Sequence, residues 1–289
     1  MNEINFKRVA IIGVGLIGGS FALALKKYGF TGKIAGTGRK KENLVRAKGR
    51  GLIDEYSTSA SETVSDADLI VLSTPVGQFQ DIFKTIRKNI KAGAIVTDVG
   101  SVKAEAIKIL KPLMPPGVSF VGSHPIAGKE SSGIDNAAPD IFKGARCIIT
   151  PAPDTDKSSL EKILALWTAL GSKTSLMSPE QHDWIFAATS HLPHVIAYAL
   201  INTILDLNQN TLPHSGPSLR DMTRIALSSP ELWRDICLYN KENILKSLNQ
   251  FLSSIIHLKE LIEKSDADGL EKEFQKAQTG RWLLEKAAP

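Results

Sequence analysis

One stretch near the start restricts this chain more than any other: Arg8-Val-Ala-Ile-Ile-Gly13-Val-Gly15-Leu16-Ile17-Gly18-Gly19-Ser20, a β-branched run that meets GxGxxG and continues with helical periodicity. A strand that turns on glycines directly into a helix is the opening of a βαβ unit. Gly13 permits the tight turn, Gly15 lets the backbone approach a pyrophosphate, and Gly18 lets helix and strand pack closely. The helix start, with Leu16 and Ile17 in its first turn, offers free N–H groups and a positive dipole end to phosphate oxygens.

The pattern set by this unit repeats. Strand-like runs at 8–12, 33–37, 69–73, 94–99, 119–122, 146–150 and 173–176 alternate with stretches of period near 3.6, such as 17–27, 76–90 and 160–170. The expected fold class is an α/β Rossmann domain, a doubly wound and mostly parallel sheet, over residues 1–177. Past Pro179 the strand-like runs stop, and an all-helical domain is expected over 178–289. There Ile244, Leu248, Phe251, Ile255, Leu258 and Ile262 recur at steps of three and four. So many apolar faces on a small helical domain predict completion by a second copy, a homodimer.

Composition excludes much else. With 43% hydrophobic and 22% charged residues the chain is neither disordered nor a rod. No uninterrupted apolar run reaches the roughly 18 residues of a bilayer span, so no membrane partner is expected. The net charge of +5 is dispersed and aromatics are only 6%, which argues against nucleic acid and leaves room for an anionic substrate or phosphate-bearing cofactor. Cys147 and Cys237 have no metal-ligand spacing and no disulfide framework, and the first strand begins too early for a cleavable leader. A cytoplasmic protein without a metal is expected.

The second strand should end near the adenosine ribose, where an acidic side chain commonly binds the hydroxyls. Here the run is Thr37-Gly38-Arg39-Lys40, with glycine at the acid's position. Thr37, Arg39 and Lys40 would suit a 2′-phosphate, which favours NADP over NAD; the plain alternative is a pair of solvated cations. Ser73-Thr74-Pro75 forms a small-residue corner over which a dinucleotide could pass.

Three further segments carry chemistry. Asp98-Val-Gly-Ser101-Val-Lys103 marks a strand-to-helix junction, where Ser101 is either an N-cap or a polar site residue. Ser123-His124-Pro125 lies just past a strand, at the carboxyl end where open sheets bind ligands. His124, titrating near working pH, could take a hydroxyl proton as a hydride leaves the same carbon. Ser190-His191-Leu-Pro193-His194 sits in a helical pattern that Pro193 must disturb. Its two histidines are too few for a metal and read as a polar binding surface or as core residues. Downstream, Arg224 could clamp a carboxylate with Asp221 orienting it.

Together, Gly13-Val-Gly15-Leu-Ile-Gly18-Gly19-Ser20, Asp98-Val-Gly-Ser101-Val-Lys103, Ser123-His124-Pro125-Ile-Ala-Gly128, Ser190-His191-Leu-Pro193-His194 and Asp221-Met-Thr-Arg224-Ile-Ala resemble, in order, the prephenate/arogenate dehydrogenase family of tyrosine biosynthesis. The resemblance implies a Rossmann domain followed by a helical dimerisation domain, and NAD(P)-dependent oxidative decarboxylation of a cyclohexadienol. It implies His124 as acceptor for the ring hydroxyl with Ser101 as its partner, and Arg224 at the ring carboxylate. His191 falls near the substrate side chain, Glu130 on an acid that orders the pocket, and Trp233 on a nearby aromatic. Gly38 departs from NAD-using members. The sequence past the last apolar helix leaves no room for the regulatory ACT module that some members append, so feedback by tyrosine, if present, is expected to act at the active site. The competing readings are a 3-hydroxyacid or 6-phosphogluconate-type dehydrogenase, which would want a lysine beside the two histidines, and a dinucleotide sensor without turnover.

Overall fold

The computed structural model describes residues 6–128 and 133–287. Strands β1 (Arg8–Ile12), β2 (Lys33–Thr37), β3 (Glu55–Tyr56), β4 (Leu69–Leu72), β5 (Ile95–Asp98), β6 (Ser119–Pro125), β7 (Arg146–Thr150) and β8 (Lys173–Leu176) form one sheet. Its order is β3-β2-β1-β4-β5-β6-β7-β8, and every pairing is parallel except β6 with β7. Helices α1 (Leu16–Lys27), α2 (Lys41–Gly49), α3 (Ala60–Val64), α4 (Phe79–Ile86), α5 (Ala104–Leu110) and α6 (Lys157–Ala169) alternate with the strands. Then come α7 (Pro179–Phe186), α8 (Leu192–Asn208), α9 (Pro217–Thr223), α10 (Pro230–Tyr239), α11 (Lys241–Glu263) and α12 (Ala267–Ala287).

Alternation along β1 and β4 explains the two layers. Val9, Ile11, Leu69 and Val71 face one apolar cluster with Phe21, Leu25 and Trp167. Ala10, Ile12, Ile70 and Leu72 face another with Phe79, Phe83 and Ile86. Successive side chains leave a strand on opposite sides, so a strand apolar at every position must be covered on both. Each such large side chain contributes about 1.5–3 kcal/mol on burial.

One boundary shifts in a way that matters. β6 was expected to stop at Gly122, but it continues through Ser123, His124 and Pro125, which pair antiparallel with Ile149, Ile148 and Cys147. Arg146–Thr150 returns without an intervening α-helix among the described residues, and an antiparallel neighbour needs no crossover helix. His124 therefore sits in a strand, not in a loop.

The chain packs as two compact units, Met1–Lys241 and Glu242–Pro289. The first takes in α7 to α10 with the sheet. The second is a pair of helices whose Leu252, Ile255, Ile256, Phe274 and Leu283 side chains are exposed. Within the first unit the helical run Pro179–His214 is long and apolar enough to cross a membrane by length and composition alone, unlike what uninterrupted apolar runs suggested. It nevertheless carries the buried and hydrogen-bonded His182, Asp183 and His191, which tie it to protein partners.

Candidate active site

The glycine turn has the geometry its spacing implies. Gly13 has φ +97°, and a Cβ there would fall 2.5 Å from the Ser73 carbonyl oxygen. A Cβ on Gly18 would fall 2.3 Å from the Gly13 oxygen, whereas at Gly15 it would meet nothing within 4 Å. Two glycines are thus compelled by the protein itself, and the third faces open space, as a backbone that must approach a ligand requires. Gly15 is the N-cap of α1 and supplies no side-chain cap, so the Leu16 and Ile17 end of the helix is available to an anion.

That turn borders a groove of about 510 Å³, walled also by Thr37, Gly38, Arg39, Lys40, Ser73, Thr74 and Pro75. Asn43, Thr58 and Gln78 add polar side chains to it, residues with no sequence signal of their own. Thr74 Oγ1 is buried without a hydrogen-bond partner, which fits a wall meant for a polar ligand. A Cβ at Gly38 would touch only Leu44 Cδ2 at 3.7 Å, so no protein atom forbids a side chain there. Arg39 is 75% exposed and lies 3.6 Å from the Glu231 carboxylate, which also faces Gln78 Nε2. The groove fits a dinucleotide.

Beyond the β6 end, buried polar groups form one connected chain. His124 Nδ1 lies 2.7 Å from His182 Nε2, and His182 Nδ1 lies 2.8 Å from Asp183 Oδ1. Asp183 in turn accepts the Lys103 and Ala104 main-chain N–H groups at 2.8 and 2.9 Å, capping α5 from α7. Ser101 is therefore not the cap: Lys103 holds that position, and a carboxylate 80 positions away in the chain does the work. Phe186 covers both rings, its centroid 4.9 Å from His124 and 4.4 Å from His182. Among the described residues His124 Nε2 has no protein partner, and it is not sealed.

The strand under His124 is pinned by a fully buried ion pair. Lys103 Nζ meets Asp98 Oδ2 and donates to the Ser123 carbonyl at 2.8 Å, while Asp98 accepts from Gly100 N and Ser123 N. These contacts fix the end of β5 against the residue preceding His124. The same surroundings change its titration from what the sequence suggested. Burial, then His182, Lys103 and His191, hold His124 well below the usual imidazole range. Burial, with Lys103 and His191, takes His182 down to about 2. Both rings are neutral at working pH.

His191 belongs to the same chain. Pro193 cannot donate to Thr189, and the helix answers with a π-helical turn over Ala187–His191. His191 turns inward and is fully buried, while His194 stacks on Trp233 with ring centroids 3.6 Å apart and Tyr198 donates to the Ser228 carbonyl. Asn240 Nδ2 donates to the Asp183 carbonyl at 2.7 Å, which fixes its amide orientation, and lies 3.1 Å from His191 Nδ1. Facing a donor, Nδ1 accepts, so the proton of His191 rests on Nε2. That Nε2 is buried and makes no hydrogen bond of good geometry among the described residues, the Ser101 main chain being the group beside it. Burial lowers its titration to about 4, the Asp183 carboxylate opposing.

The structure thus joins His124 and His191 through Asp183 and puts Trp233 6.0 Å from His191, centroid to centroid. Arg224 opens the turn Arg224–Leu227 and lines a cleft with Ile201, Arg220, Asp221 and Thr223, which shares no lining residue with the dinucleotide groove. Ser101 is half-buried on the bend before α5. Glu130 lies outside the described residues. Sequence reasoning missed His182, Asp183 and Asn240. The available signal was a His-Asp pair directly before the apolar run Trp184-Ile-Phe-Ala-Ala, a costly place for two titratable groups unless they are bonded.

Two profiles of known families match the chain: "Prephenate dehydrogenase, nucleotide-binding domain" over residues 21–176 and "Prephenate dehydrogenase, dimerization domain" over 178–276. Cyclohexadienyl dehydrogenase of Zymomonas mobilis is 35% identical over 283 residues, 96% of each chain. The solved structure of A. aeolicus prephenate dehydrogenase with hydroxyphenyl propionate and NAD+ superposes with a TM-score of 0.90 at 38% identity, over 96% of this chain and 98% of that one. Synechocystis arogenate dehydrogenase superposes with a TM-score of 0.79 at 29% identity, over 96% and 99%.

Proposed function

The chain belongs to the prephenate dehydrogenase family, and from that premise we propose that it oxidatively decarboxylates prephenate to 4-hydroxyphenylpyruvate in tyrosine biosynthesis, with NADP preferred over NAD. The dinucleotide domain covers 1–177 and the helical substrate and dimerisation domain 178–289, the latter pairing two copies in a homodimer. The free cysteines Cys147 and Cys237 suit a reducing cytoplasm.

Gly13, Gly15 and Gly18, with the N–H groups at Leu16 and Ile17, would hold the pyrophosphate. Thr37, Arg39 and Lys40 would hold the 2′-phosphate, and Ser73, Thr74 and Pro75 would form the wall along which the dinucleotide runs. What NAD(P) supplies is the acceptor for the hydride that leaves the ring carbinol carbon as the carboxylate departs as carbon dioxide. His124 Nε2 takes the proton of the ring hydroxyl, and Ser101 bonds the same oxygen. Arg224 holds the ring carboxylate, Glu130 orders the pocket, and Trp233 closes the side on which His191 meets the substrate side chain. Aromatisation of the ring makes the step irreversible.

The observation that supports the substrate choice is that the proton of His191 rests on Nε2, Nδ1 being turned to the Asn240 amide. A donor there suits the side-chain ketone of prephenate, whereas the ammonium of arogenate would set donor against donor at that nitrogen. The test is a rate matrix of prephenate and arogenate against NAD and NADP. Prephenate with NADP should give the highest kcat/KM, and an arogenate preference of about a hundredfold, some 2.7 kcal/mol, would overturn the choice.

A further inference from the structure

A histidine in a strand can act as a base only if the nitrogen facing the substrate is the bare one, and the ring alone does not decide which nitrogen that is. Here the decision is made from the far end of the chain of bonds. Asp183 accepts at both oxygens: Lys103 N–H and His182 reach Oδ1, and Ala104 N–H reaches Oδ2. Two main-chain donors at the start of α5, with the Lys103 ammonium close by, keep that carboxyl in its acceptor form even though burial pulls its titration upward. His182 Nδ1 must then donate, which leaves His182 Nε2 a lone pair. His124 Nδ1, 2.7 Å away, must donate to it. The polarity runs one way, and it leaves His124 Nε2 without a proton.

We infer that His182 and Asp183 are positioning residues of the reaction: they lock His124 in the Nδ1–H tautomer and so aim the Nε2 lone pair at the substrate hydroxyl. The inference rests on the reading of His124 as the base and adds what makes it one. Asp183 serves a second ring by a different atom, since its carbonyl orients Asn240 and through it leaves His191 with Nε2–H. One residue therefore sets an acceptor at position 124 and a donor at position 191. When His124 accepts the hydroxyl proton, its Nδ1–H still points along the chain toward the Asp183 carboxylate, the group best placed to balance the new positive charge.

The direct test reads the tautomer without turnover. In the full-length protein labelled with 15N at histidine and assigned by loss of signals in His124→Asn and His182→Gln, the ring nitrogens of both residues should show protonated Nδ1 and bare Nε2. A protonated Nε2 at His124 overturns the proposal. A kinetic test runs beside it: His182→Leu should lower kcat roughly 10²-fold while both KM values stay near wild type. His182→Gln, whose amide oxygen reaches the place of Nε2, should recover most of that loss. Wild-type kcat in His182→Leu, or no recovery in a well-folded His182→Gln, also overturns it. Should His182→Leu fail to fold, the wild-type spectrum still decides. Loss of the base assignment itself would show differently, as wild-type turnover in His124→Asn.

Discussion

The dinucleotide groove and the imidazole network are built on opposite plans. In the groove, Gly13, Gly15 and Gly18 lie within six positions of one another, and what each glycine is for follows from its own turn. In the network, His124 and His182 are separated by 58 positions and Asn240 and His191 by 49, and no member has its role except through the next. Local construction tolerates piecemeal change; a chain of single bonds fails at any link, because each buried group left unpaired costs its full desolvation.

The largest test of that contrast is at the end of the network. His124→Asn should lower kcat by roughly 10² to 10⁴ and leave cofactor affinity nearly intact; turnover near wild type would remove the base. Next in size is the support beneath it. Lys103→Met strands a buried Asp98 carboxylate and should destabilise the protein by about 3–5 kcal/mol, read as a fall in the denaturant midpoint. A fall of only a few tenths would mean that the pair is not the pin it looks like.

Acid should act on the network and spare the groove. His191 is held near 4 in the folded protein, below the ordinary imidazole value of 6.5. The unfolded chain therefore binds the extra proton first. Stability is whole above about pH 6.5 and falls as the pH drops toward 4, by up to about 1.4 kcal/mol per unit for each ring kept neutral. Melting temperatures at pH 7 and pH 5 check this. The drop should be smaller in His191→Gln, and an equal drop in both proteins contradicts it. The smallest effect belongs to the groove: Gly38→Asp, which has room for its Cβ, should turn the NADP/NAD ratio of kcat/KM toward NAD by about tenfold, or 1.4 kcal/mol. An unchanged ratio would free the ribose end from Thr37, Arg39 and Lys40.

The same division explains what could be read without coordinates. The sheet, the glycine turn, the helical second half and the small-residue corner at Ser73 each have signals within a few neighbours, and strands β1, β2, β7 and β8 begin and end where the periodicity puts them. β3, two residues long and half-buried, has too little pattern to show. The end of β6 was hidden because its last residues owe their extended form to β7, a partner more than twenty positions on. His182 and Asp183 were overlooked for a related reason: on a helix their spacing says nothing, and only the arrival of the α5 N–H groups and His124 gives them a purpose. The titration of His124 shifted because the ring is buried and because His182, Lys103 and His191 are near only in space.

Ser119, Phe120 and Val121 pair with β5 on one edge, and the next four residues, His124 among them, pair with β7 on the other. The imidazole at 124 thus rides on a strand paired into the sheet, and its main-chain amide should exchange with deuterium more slowly than those of the loops around it. Redesign of substrate choice is best begun at Arg224 and Trp233, because His191 shares Asp183 with the imidazole at 124 and cannot be rebuilt without disturbing it.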